Sequence, residues 1–83
     1  MGMNVREALA RHIRTLNLSP LDRAMHDTDC FVIDHRNWFV QGPYPEDMAK
    51  EYAMMFNEMA KRESGFLDRP FGAHRNNGER ISK

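Results

Sequence analysis

Residues 30–65 read CFVIDHRNWFVQGPYPEDMAKEYAMMFNEMAKRESG, and this stretch decides the fold. Cys30-Phe31-Val32-Ile33-Asp34 and Trp38-Phe39-Val40-Gln41 are rich in β-branched and aromatic residues, which fit a pleated, half-buried surface. His35-Arg36-Asn37 lies between them, and Asn37 tolerates positive φ, so the two segments predict an antiparallel hairpin. An even-numbered loop pairs Asp34 with Phe39. Phe31, Ile33, Trp38 and Val40 then share one face, and Cys30, Val32, Asp34, Phe39 and Gln41 the other. An odd loop would set Asp34 beside Trp38 and Val40 and separate polar from apolar residues less well, so the even register is preferred.

Gly42-Pro43-Tyr44-Pro45 turns a corner. Pro45 suits a first helical position, and Glu46 and Asp47 place negative charge at the positive end of the helix dipole. Met48, Tyr52, Met55, Phe56 and Met59 then recur at helical spacing, flanked by Ala49, Ala53 and Ala60, with Lys50, Glu51, Asn57, Glu58 and Lys61 turned away. Ser64-Gly65 stops the helix. The stripe is expected to cover the Phe31 face of the hairpin.

Upstream, Asn4 and Glu7 match a capping box, and Val5, Leu9, His12, Ile13 and Leu16 follow at helical spacing, predicting a helix from Val5 to about Leu16. Ser19-Pro20 with Asp22 allows a short helical turn to Met25, and residues 26–29 read as a polar link. Beyond the long helix, Phe66 and Leu67 can close its C-terminus by packing back on the last turn or serve as a partner-binding linear motif, and the glycines and asparagines after Phe71 read as a flexible tail. The expected fold is α+β: one small domain over residues 1–71 in the order α, short α, β, β, α. A two-stranded hairpin packs on the C-terminal amphipathic helix, and 72–83 form the tail.

Composition narrows the function. Among 83 residues, 12 Lys plus Arg balance 12 Asp plus Glu, so the chain lacks the long-range field of a general polyanion binder. The single cysteine, Cys30, sits in an apolar strand and reads as a buried, reduced thiol, consistent with a cytoplasmic protein. Charged residues interrupt the N-terminal apolar positions, and no apolar run approaches the ~20 residues of a membrane span, so neither a leader nor a membrane role is expected.

Chemistry finds little purchase. His12, His26, His35, His74, Cys30 and the serines form no nucleophile, base and orienting group in recognisable spacing, and no catalytic residue or cofactor is assigned. His26, Asp27, Asp29 and Cys30 lack the paired spacing of a metal site. The chain reads as a non-enzymatic protein-binding module acting as a homodimer, of the compact accessory or inhibitor type carried by phages and mobile elements. The face bearing Cys30, Val32 and Phe39 needs a cover, which helix one or a second copy can supply. Interface candidates are Cys30, Val32, Phe39, Met54, Phe66 and Phe71. The alternative is a DNA- or RNA-binding regulator using Arg6, Arg11 and Arg14 on helix one with Arg36 and Asn37 at the hairpin tip.

Overall fold

A computed structural model describes residues 3–16, 29–65 and 67–82. The elements are α1 (Val5–Thr15), β1 (Cys30–Asp34), β2 (Phe39–Tyr44), α2 (Glu46–Ser64) and β3 (Phe71–Arg75). The three strands form an antiparallel sheet in the order β2-β1-β3, so the fold is α+β.

α1 begins as its capping residues dictate: the Asn4 side chain accepts a bond from the Glu7 backbone N–H at 2.9 Å. α2 follows Pro45 and carries Glu46 and Asp47 in its first turn. It ends at Gly65, whose φ of 68° is the left-handed conformation that favours glycine, and the Gly65 N–H donates to the Lys61 carbonyl at 2.9 Å. The expected short helix, residues 19–25, and residues 26–28 of the expected polar link lie outside the described residues.

The β1–β2 register is the even one, with Asp34 opposite Phe39 and Ile33 opposite Val40. Two details of the hairpin differ from expectation. Trp38 belongs to the loop, not to β2, and it takes the left-handed conformation (φ 61°) foreseen for Asn37. Asn37 instead turns its side-chain oxygen to the Phe39 N–H at 3.0 Å, while Trp38 N–H closes the loop on the Asp34 carbonyl at 2.7 Å. β2 also runs on through the Gly-Pro corner to Tyr44. The Gly42–Pro43 peptide is cis, and the pairing slips between Cys30 and Val32. At Gly42 (φ 129°) an added Cβ would stand 2.9 Å from the Cys30 carbonyl oxygen and 2.9 Å from a Phe31 ring carbon, so only glycine fits against β1 there.

The expected two-stranded hairpin is part of a three-stranded sheet. Residues 71–75, read as the end of the domain and the start of a tail, pair along the second edge of β1, Phe71 opposite Asp34 through Arg75 opposite Cys30. The chain then reverses through residues 76–78 and returns beside β3. Arg75 N–H donates to the Glu79 carbonyl at 2.8 Å, Ile81 N–H to the Ala73 carbonyl at 2.8 Å, and Ala73 N–H to Ser82 Oγ at 2.8 Å. The physical reason lies in β1: a continuous apolar strand, buried along its whole length, leaves backbone donors and acceptors on both edges that must be paired away from water.

The sorting of residues onto two faces matches the expectation, but the helices are exchanged. Phe31, Ile33 and Val40 pack with Ala8 and Leu9 of α1, joined at the margin by Val5, Ile13 and Trp38. α1 is tied down by His12, whose Nε2 lies 2.9 Å from the Gly42 carbonyl oxygen and whose ring meets Phe31 edge-on at 5.8 Å. On the other face, Cys30, Val32 and Ala73 pack with Ala49 and Ala53 of α2, bordered by Tyr44, Tyr52, Phe56, Phe71 and Ile81. α2 therefore meets the sheet through alanines, and Met48, Met55 and Met59 of the expected core stripe stay exposed. Small residues let the helix approach the strands closely, which a row of methionines would prevent.

Candidate binding groove

The two flanks of α2 are the most apolar exposed surface among the described residues. Phe39, Met48, Met54, Met55, Met59 and Leu67 are the exposed large hydrophobic residues, and four of the six lie on α2. Their placement follows from how the helix sits. α2 lies over β1 and β3 more than over β2. Tyr52 meets Tyr44 of β2 at a ring-centroid distance of 4.9 Å, which identifies the β2-facing flank. At about 100° per residue, Met48, Met55 and Met59 fall within about 60° of Tyr52 on that flank. Phe39, opposite Asp34, lies on the same face of the sheet.

The opposite flank builds a groove of about 570 Å³. Asn57 fixes its end of the helix to β3: Asn57 Nδ2 donates to the Phe71 carbonyl at 2.8 Å, and the Phe71 N–H donates to Asn57 Oδ1 at 2.8 Å. Ala53 and Ile81 line the apolar floor, with Met54 on the helix side and Leu67 on the loop side. Lys50, Lys61 and Arg69 stand around it with one opposing carboxylate, Glu58. Lys50 is 3.6 Å from Glu46, whose other oxygen pairs with Arg75 at 2.6 Å. Arg69 has φ of 46°, a left-handed conformation unusual for a residue with a side chain and more so before proline. Its carbonyl accepts a bond from Arg80 Nη2 at 3.3 Å.

Of the interface residues foreseen from sequence, Met54 (64% exposed) lines the groove and Phe39 (65% exposed) lies on the β2 side. Cys30 and Val32 are not surface residues, because α2 covers them. Burial, then the nearby Glu46 carboxylate, raises the Cys30 thiol above its ordinary pKa, so it stays protonated and unreactive at neutral pH. Phe71 is half-buried between the Phe56 ring (5.1 Å) and the Arg36 guanidinium (5.3 Å). Phe66 lies outside the described residues. Leu67 does not pack back on the helix end but stands exposed at the groove, and the groove residues Lys61, Arg69 and Ile81 were not foreseen, since the wall formed by the C-terminal return exists only once β3 pairs with β1.

The residues considered for nucleic acid separate. Arg6, Arg11 and Arg14 are exposed on α1. Arg36 grips the buried Asp34 carboxylate with two bonds, Nε to Oδ1 at 3.0 Å and Nη2 to Oδ2 at 2.9 Å. Burial alone would raise the Asp34 pKa, but the side-chain and backbone bonds from Arg36 outweigh it and hold the carboxyl below its ordinary value.

The histidines are engaged in structural bonds. His74, on the α1 face of β3, has Nδ1 3.0 Å from the Gly78 carbonyl oxygen, and since a carbonyl only accepts, that nitrogen carries the proton. The Nε2 of neutral His74 then accepts from His35 Nε2, 2.9 Å away. Burial lowers the pKa of both rings, favouring this neutral pair. His26 and Asp27 lie outside the described residues. No group of three or more metal-ligating side chains occurs among the described residues, and none of their helices is long and apolar enough to cross a membrane.

Compared with protein-family models, with curated proteins and with solved structures, the chain matches none.

Proposed function

We propose that this protein is a non-enzymatic binding module that acts on another protein through the flanks of α2. One observation carries the reading: among the described residues, four of the six exposed large apolar side chains lie on the single helix α2. Clustered exposed apolar side chains cost free energy in water and mark contact sites, and methionine adapts its shape to varied partners. The groove supplies concavity on one flank. The flank bearing Met48, Met55 and Met59 beside the outer strand β2, with Phe39 on the same face of the sheet, is the side on which a second copy would pair. An accessory or inhibitor role of the phage type, which needs only that a partner be occupied, suits this exposed apolar helix, and the buried thiol suits the cytoplasm.

Nucleic acid is the weaker reading, because Arg36 is committed to Asp34 and Asn37 to the loop backbone. The test is chemical cross-linking in the source cell with wild type, Met54→Lys and Met55→Lys, each checked for an unchanged thermal melt. The proposal expects specific cross-linked proteins that at least one substitution removes. It fails if both folded variants keep the same adducts, or if wild type gives none.

A further inference from the structure

We infer that the groove between α2 and the C-terminal return receives a short partner segment carrying a large apolar side chain flanked by carboxylates. The inference rests on the protein-binding reading and names the partner's chemistry. The floor, Ala53 with Ile81, is small and apolar and accepts a bulky side chain. Met54 and Leu67 (72% exposed) stand at its edges, where they close over a guest and lose exposed area. The electrostatics select the flanks of the guest: three cations face one carboxylate. Lys50 already shares Glu46, whereas Lys61 and Arg69 form no salt bridge among the described residues. An acidic segment supplies what they lack, and a basic one is repelled.

The site is also rigid where it matters. The Asn57–Phe71 bonds and the bonds joining Ala73 to Ile81 and Ser82 hold both walls in place. The left-handed Arg69, braced by Arg80, holds the cationic corner in a conformation that a relaxed chain would leave. Pre-set walls lower the ordering cost of binding. A volume of about 570 Å³ suits a few side chains of a peptide.

The experiment is selection of a random-peptide display library on the full chain. The inference expects enriched peptides with Leu, Ile, Met or Phe beside Asp or Glu. A labelled enriched peptide should then bind at least tenfold more weakly to Lys61→Glu, Arg69→Glu and Met54→Asp, each with an unchanged circular dichroism melt. Enriched peptides without acidic flanks, or binding indifferent to these substitutions, overturn it. Peptides blocked by Met55→Asp but not Met54→Asp place the contact on the β2 side, which defeats this inference and leaves the protein-binding reading standing. Sodium decanoate displacing a fluorescent fatty acid from the groove, with no peptide enriched, overturns it in favour of a small amphipathic ligand.

Discussion

Val32 of the central strand and Ala53 of α2 lie in the same buried cluster, each 1% exposed. The helix reaches the sheet at this point because Ala53 has no side chain beyond Cβ, and this closeness turns the methionines outward. Replacing Ala49, fully buried in the same cluster and away from the groove, with leucine overpacks a filled interface and is expected to cost about 1–3 kcal/mol. Met55→Gln, on the exposed flank, should stay within about 0.5 kcal/mol of wild type. Urea denaturation of the two variants measures both, and a larger loss from Met55→Gln would mean that the helix faces are assigned the wrong way round.

Asn57 joins α2 to the first residue of β3 by accepting from and donating to the Phe71 backbone. Asn57→Ala removes both partners of a partly buried backbone pair and should cost about 1–3 kcal/mol. Hydrogen exchange locates the effect: the Phe71 amide should lose protection first, while the β1–β2 amides keep theirs. Unchanged protection at Phe71 would contradict the described bonds.

At Gly42, an alanine brings its Cβ within 2.9 Å of the Cys30 carbonyl oxygen and must adopt a φ of 129°. The strain alone is of order 1–3 kcal/mol. A lowered thermal midpoint is expected, with loss of the His12 bond to the Gly42 carbonyl visible as a shift of the His12 ring signals. An unshifted midpoint would show that the corner is more open than described.

Acid should destabilise the fold in two stages. Burial, followed by the Arg80 charge, lowers the His35 pKa below the ordinary 6.5 against the opposing pull of Asp34. In His74 burial again leads, outweighing the Gly78 bond, with His35 and Arg80 acting in the same direction as burial. The unfolded chain takes up these protons at about pH 6.5 while the folded form resists them. Stability is therefore full above that value and falls as pH descends through it toward the depressed folded-state values. Asp34 adds a second loss below its ordinary 3.8, where the unfolded carboxyl protonates before the folded one. Urea midpoints at pH 7.5, 6.5, 5.5 and 4.5 should decline in this order, and His74→Gln should flatten the first step. A midpoint that rises between pH 7.5 and 5.5 would contradict it.

The parts of the fold legible in the sequence are those governed by local chemistry. The Asn4 cap, the Gly65 stop and the opposition of Asp34 to Phe39 each follow from residues near one another in the chain. The exchange of helices was not legible, because hydropathy ranks Met48, Met55 and Met59 above Ala49, Ala53 and Ala60, whereas close packing favours the smaller side chains. β3 was missed for a related reason. Phe71-Gly72-Ala73-His74-Arg75 has little β propensity of its own, and its pairing is imposed by the second edge of β1. The run Cys30-Phe31-Val32-Ile33, apolar without alternation, was the available signal, since it marks a strand covered on both faces and paired on both sides. The groove depends on that third strand and was hidden with it.

The most direct measurement is a two-dimensional amide spectrum of the isotopically labelled protein titrated with a library-selected acidic peptide. Shifts should concentrate at Ala53, Met54, Asn57, Lys61, Leu67, Arg69 and Ile81, leaving the α1 amides of Arg6, Arg11 and Arg14 in place. Shifts confined to α1 and the Phe31 face, with the groove silent, would contradict the account.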